Sequence, residues 1–208
     1  MVQKEPNPTK KRRGRPRAYD PDVAIAHAIE AFWQTGYSGT SLDDLSGAIG
    51  MNRPSLYAAF GDKHDLFIKA LTAYWQRGRE ATRAALAHDV PLRDALLRLY
   101  QRALSMYLPS KGAPRGCFAI GTATTEAVAH PKIRDLLREG LREIDRAFEA
   151  RIAFAKEKGE ISNDSDPRAL AMIASATLHT LSIRSRGGEP RAQLEAIARA
   201  AVNVICRP

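Results

Sequence analysis

Start and stop signals for helices recur at close intervals between Asp20 and Phe67, and they cut this stretch into pieces of set length. Asp20 suits a helix cap, Pro21 suits the first turn, and Ile25, Ala28, Ile29, Phe32 and Trp33 recur at helical spacing. Gly36 ends that helix. Thr40 or Ser41 caps the next, with Asp43 and Asp44 each three residues on from one of them, a capping-box spacing. Leu42, Leu45 and Ile49 give its inner face, and Gly50 stops it. Asn52 caps a third helix with Pro54 in its first turn and Leu56 and Phe60 facing inward. Gly61-Asp62 punctuates again, before a long helix to about Ala87 carrying Leu66, Ile68, Leu71, Tyr74 and Trp75. Three short helices with a glycine turn between the second and third predict a helix-turn-helix geometry.

The remainder reads as helical with brief interruptions. Pro91 opens a segment with Leu92, Leu96, Leu99, Ala103 and Met106, and PSKGAPR at 109–115 is a loop. A small-residue helix is predicted over 117–130, ending at Pro131. A long amphipathic helix follows, with Ile133, Leu137, Leu141, Ile144, Phe148 and Ile152 on one stripe. Asp166-Pro167 starts another, Gly187-Gly188 breaks it, and a last helix carries Leu194, Ile197, Ala201 and Ile205. No window alternates as a strand would, and no repeat is evident. The predicted fold is all-α, with about nine helices.

In a helix-turn-helix the third helix enters the major groove and its outward side chains near the N-terminus reach base edges. Here these are Arg53, Pro54, Ser55, Tyr57 and Ala58. Arg53 suits a guanine, Pro54 and Ala58 offer apolar contact as to a thymine methyl, and Tyr57 suits a phosphate or sugar. Thr40 and Ser41 at the second helix's N-terminus, and Lys63 at the start of the next helix, suit phosphates. Asn52, the cap, lies at the same edge.

Charge placement supports a polyanionic partner. Residues 1–17 carry Lys4, Lys10, Lys11, Arg12, Arg13, Arg15 and Arg17 against Glu5, a net +6 out of +9 for all 208 residues. They read as a basic arm without apolar periodicity. Residues 18–63 hold Arg53 and Lys63 against Asp20, Asp22, Glu30, Asp43, Asp44 and Asp62, a net −4. An acidic reading head needs help to approach DNA, and the arm supplies it. Arg13-Gly14-Arg15-Pro16 matches the RGRP core of AT-hook peptides, suited to a narrow A·T minor groove. A tail that touches phosphates without sequence preference fits the same residues.

Other classes find little support. The longest apolar runs fall well short of the roughly 18 residues of a membrane span, and no apolar segment follows the N-terminal cations as in a secretory signal. Cys117 and Cys206 lie far apart, without metal-like spacing, which suits a reduced, cytoplasmic chain. The histidines at 27, 64, 88, 130 and 179 are scattered, and no catalytic motif stands out, so neither a metal, a cofactor nor an enzyme activity is expected.

The helix with its Ala48-Ile49-Gly50 turn, the Ser55-Leu56-Tyr57 core, Phe60, and Lys63 with Leu66 beyond closely resemble the N-terminal domain of the tetracycline-repressor (TetR) family. The resemblance is specific over about residues 20–70; beyond, helix count, length and order agree. Pro54 departs from the family's usual small residue and leaves base discrimination to Arg53 and Ser55. The resemblance implies an all-helical homodimer with a near-palindromic double-stranded operator and a small-molecule effector. It divides the chain into an arm (1–17), a DNA-binding domain (18–63) and a helical ligand-binding and dimerisation domain (64–208).

Within the last, Tyr74, Trp75, Tyr100, Tyr107, Phe118, Phe148 and Met172 lie on successive helices, with Thr122, Glu126 and His179 as polar anchors. They describe a ligand pocket or an ordinary core. Cys117 follows Arg115-Gly116 at a helix start, which favours thiolate and a redox or electrophile sensor, against a buried inert thiol. Ala and Ser in ALAMIASATL and AIARAAVNVI suit close helix approach, between subunits or within one. The expected output is repression relieved by the effector. An activator or architectural DNA binder with the same reader, or a helical enzyme or binding module with a basic tail, are the alternatives.

Overall fold

The computed structural model describes residues 19–207, and the arm residues Arg13, Arg15 and Arg17 lie outside them. The helices are α1 (Pro21–Gly39), α2 (Leu42–Ile49), α3 (Arg53–Phe60), α4 (Lys63–Ala85), α5 (Leu92–Tyr107), α6 (Thr124–Glu126), α7 (Pro131–Glu157), α8 (Pro167–Arg186) and α9 (Arg191–Ile205). Among the described residues the protein is all-α, as the periodicity predicts.

Side-chain caps explain where α1, α2, α3, α4 and α8 start. Asp20 accepts from Asp22 N at 2.9 Å, and Asn52 accepts from Ser55 N at 2.9 Å. Ser41, not Thr40, caps α2 in a reciprocal box with Asp44, and Asp62 caps α4 in the same way with Asp65. Gly36 breaks α1 at φ 77°, and the chain then adds one further turn to Gly39. Gly50 takes the left-handed conformation (φ 73°, ψ 29°) that turns the chain from α2 toward α3. Helices of eight residues are marginal alone. Here Leu45, Leu56 and Phe60 are buried against the α1 and α4 residues Phe32, Leu66 and Phe67.

One predicted helix is corrected. Residues 117–130 form a five-residue π-helical turn, Ala119–Ala123, running into the single turn of α6. Two hydroxyls compete for the backbone there: Thr122 donates to Phe118 O at 2.7 Å and Thr124 to Ile120 O at 2.8 Å. The Arg186 guanidinium also presses on Gly121, where an added Cβ would meet Nη1 at 2.5 Å.

A single buried core runs from Ala24 in α1 to Ile205 in α9. Trp75 of α4 packs on the backbone of α7 at Gly140, where a Cβ would fall 2.2 Å from the indole. Arg151, 1% exposed, donates from Nη2 to Val90 O at 2.8 Å and pins the α4–α5 corner to α7. The small residues Ala171, Ala174, Ser175, Ser182 and Ser185 of α8 are buried within this chain. Met172, Ile173 and Ile183 of α8, with Val204 of α9, stand exposed instead.

Candidate nucleic-acid interface

Leu56 and Phe60 turn one side of α3 inward, at 1% and 4% exposure, so Arg53, Pro54, Ser55, Tyr57 and Ala58 all face out. The cap at Asn52 fixes the first turn. Lys69 of α4 fixes the last, donating from Nζ to Phe60 O at 2.7 Å. The sequence reading missed Lys69; the recoverable signal was a cation placed to reach the end of the preceding helix.

Arg53 does not stand alone. Its Nε and Nη2 donate to Asp43 Oδ1 and Oδ2 of α2 at 2.7 and 2.5 Å, a two-pronged pair exposed on both sides. Asp43, weighed in the sequence only as a cap partner, is thus free of capping, which Asp44 does. Ser41 donates to Asp44 Oδ2 at 2.6 Å, and hydrogen bonds from the Ser41 hydroxyl and backbone hold the Asp44 carboxyl below the usual range. Thr40 is corrected as a phosphate contact. It is 1% exposed, and its hydroxyl is spent on Gly36 O at 2.6 Å and on Thr35 at 2.7 Å. Lys63 lies over the Tyr37 ring at 4.5 Å; burial, with Glu126 and Asp62 nearby, raises the Tyr37 phenol.

Two joints tie this head to the C-terminal half. In the first, Ser38 donates to Glu126 Oε1 at 3.0 Å, His130 Nε2 lies 3.8 Å from Glu126 Oε2, and His64 meets His130. Glu126, expected as a pocket anchor, is therefore a structural link. In the second, Arg115 sits 4.0 Å over the Trp33 ring and bonds Glu30 at 2.7 Å, while Trp33 Nε1 donates to Arg115 O at 3.3 Å.

The remaining pocket residues divide between one aromatic cluster around Tyr74 and positions apart from it. Tyr74 and Phe118 join Trp33 in an aromatic cluster, and the Tyr74 hydroxyl lies 3.1 Å from Cys117 Sγ. Tyr100 donates to Ala174 O at 3.0 Å, Tyr107 and Phe148 are buried, and Thr122 is spent on Phe118 O. Trp75 is held on Gly140. His179 is half-buried, and desolvation lowers its imidazole pKa. Met172 is 61% exposed, so it is corrected from pocket wall to surface; it lies on the solvent side of α8, away from the buried small residues.

Of the two readings of Cys117, the thiolate one is corrected and the buried thiol stands. Arg115, one residue before Gly116, turns to Glu30 and Trp33 rather than toward the thiol. Burial pushes the thiol up, with hydrogen bonds from Tyr74 and the Ile120 and Ala119 backbone opposing. A groove of about 350 Å³ borders it, with Gly121, Ser182, Ile183 and Arg186 as neighbours. Among the described residues no helix is long and apolar enough to cross a membrane.

Comparison with known proteins agrees with this geometry. Residues 24–70 match the family described as bacterial regulatory proteins, tetR family, and residues 91–201 match the tetracyclin repressor-like C-terminal domain. The HTH-type transcriptional repressor ComR of Escherichia coli K12 is 33% identical over 189 residues, covering 91% of this chain and 90% of that protein. The transcriptional regulator AcuR of Cereibacter sphaeroides is 31% identical, covering 79% and 77%. The TetR-family regulator CifR, solved as a cysteine mutant with a 26-bp double-stranded operator, is 33% identical with a TM-score of 0.77, covering 91% and 98%. Homodimers and ligand binding are typical of this family. The chain belongs to the tetracycline-repressor family of DNA-binding transcriptional regulators.

Proposed function

We propose that the chain acts in the cytoplasm as a homodimer that occupies a near-palindromic operator, represses transcription and lets go when a small molecule enters its C-terminal domain. The observation that carries this reading is the outward face of α3. Five exposed side chains stand on a helix gripped at both ends and anchored by Leu56 and Phe60. In a major groove Arg53 and Ser55 reach base edges, Pro54 and Ala58 meet thymine methyls, and Tyr57 borders sugar and phosphate. Ser41, Asn52 and Lys63 line the phosphate path, and the arm adds cations that the acidic head lacks.

The exposed apolar residues of α8 and α9 support two-fold pairing, which would set two reading helices about 34–36 Å apart. The head ends and the C-terminal domain begins about residues 63–64, where α4 starts. Because α4 reaches from the joint at His64 to the Trp75–Gly140 contact, displacement of α7 reaches α3 through it. The effector must prefer the conformer that fits DNA less well, and DNA must weaken effector binding by the same factor.

The test is a gel shift of full-length protein on the DNA flanking its own coding region, with a promoter fusion to read the sign of regulation. Specific retardation and lower expression support the reading. A well-folded sample that ignores every duplex at low salt, or sediments as a strict monomer, overturns it.

A further inference from the structure

A reading arginine has two edges. Its side edge presents Nε and Nη2; its end presents Nη1 and Nη2. Either can take a guanine by its O6 and N7. In this protein Asp43 already occupies the side edge, at 2.7 and 2.5 Å, reaching across the α2–α3 turn. The end edge keeps one Nη1 proton and the second Nη2 proton. Both partners sit on capped first turns, Asp43 under the Ser41–Asp44 box and Arg53 beside Asn52, so their backbones are held while the side chains stay exposed.

From this we infer that Asp43 is a specificity-determining positioning residue: it holds the Arg53 guanidinium so that only its end edge meets the base pair under α3. The inference rests on α3 being the helix that enters the groove. The physical consequence has two opposite parts. Immobilising a side chain with many rotamers lowers the entropy lost on reading one base, which sharpens discrimination. A carboxylate beside a phosphate backbone repels it, which weakens binding to every sequence. Asp43 therefore trades affinity for selectivity, in a head whose own charge is already negative. A carboxylate at this edge also accepts from a cytosine amino group on a neighbouring pair and rejects a carbonyl there.

The opposite role has a distinct signature. If Asp43 merely sequestered Arg53, releasing it would improve specific binding and keep or raise discrimination.

The experiment uses full-length protein and a randomised double-stranded DNA library, selected and sequenced for wild type, Arg53→Ala, Asp43→Ala, Asp43→Asn and Asp43→Glu. Thermal unfolding checks that each is folded. Affinity for one unselected duplex is measured alongside. Arg53→Ala should erase the preference at one half-site position, by about 5- to 150-fold. Asp43→Ala and Asp43→Asn should blunt preference at that same position by about 3- to 10-fold while tightening binding to the unselected duplex. Asp43→Glu should recover part of the preference. If Arg53→Ala acts but the Asp43 variants leave that position unchanged, or sharpen it, the positioning role is wrong and the groove helix stands. If Arg53→Ala changes no position, the assignment of Arg53 as a base reader fails, and with it this inference.

Discussion

The imidazole of His64, in the first turn of α4, faces that of His130, the cap of α7, with ring centroids 4.7 Å apart and planes tilted by 42°. Tyr37 stands edge-on to both rings. This aromatic contact sits where the reading head meets the C-terminal half.

His64 Nδ1 is buried there without a hydrogen-bond partner. Replacing it by an apolar ring removes a desolvation cost and keeps the packing. His64→Phe should therefore raise unfolding free energy by about 1 kcal/mol, read by urea titration. A clear loss of stability would mean that the nitrogen is satisfied, by water for example.

Ser38 is exposed, and its bond to Glu126 crosses between the two halves. Ser38→Ala should cost under about 1 kcal/mol globally. Its effect should show as faster amide exchange confined to residues 36–40 and 126–130. Exchange rates equal to wild type in both segments would remove this bond from the joint.

At Gly140 two effects compete. Alanine is favoured over glycine inside a helix by about 1 kcal/mol, but its methyl would fall within the Trp75 indole. Overpacking against a ring whose backbone belongs to α4 costs about 1–3 kcal/mol, so Gly140→Ala should destabilise on balance. An increase in the urea midpoint would show that α4 and α7 can part without penalty.

Burial raises the Cys117 thiol, and it raises the Tyr74 and Tyr107 phenols further. Each is an acid whose folded pKa exceeds its unfolded one. The associated stability is whole below the unfolded pKa, about 8.5 for a thiol and about 10 for a phenol, and is lost as pH rises toward the folded value. Unfolding free energy should thus decline from about pH 8.5 upward, and Cys117→Ala should flatten the first part of the decline. Cys206, also raised by burial, adds the same sign. A stability that holds level to pH 10 would contradict it.

The arm is tested by salt. Each phosphate it neutralises should add about −0.9 to the log–log slope of affinity against salt. Deleting residues 1–17 should flatten that slope and weaken binding strongly. A truncated protein with the full slope would assign the phosphate contacts elsewhere.

Local chemistry was legible in the sequence wherever a residue acts on its own neighbours. The caps at Asp20, Asn52 and Asp62 and the turn at Gly50 are settled within a few residues of chain, so spacing reveals them. The Asp43–Arg53 fork was not legible, because its partners lie ten residues apart and meet only once the turn between them has closed. The thiolate reading of Cys117 fails for a related reason, while the buried-thiol reading stands. Gly116 takes φ 63°, and the bend sends Arg115 toward α1 rather than toward the thiol, so adjacency in sequence became separation in space. Glu126 read as a ligand anchor because nothing local betrays that Ser38, far upstream, folds onto it. That Tyr74, Trp75 and Phe118 cluster while Tyr100 and Phe148 do not join them has the same origin: helical periodicity says that a side chain points inward, not which of its neighbours it will meet.

The grip of Lys69 on the Phe60 carbonyl carries a mechanical corollary. With its tail end bonded to the shaft behind it, the α3 helix should swing with α4 as one elbow rather than swivel alone. On the proposed mechanism, sequence choice and effector response would share one hinge, so a substitution that loosens Lys69 should blur both together.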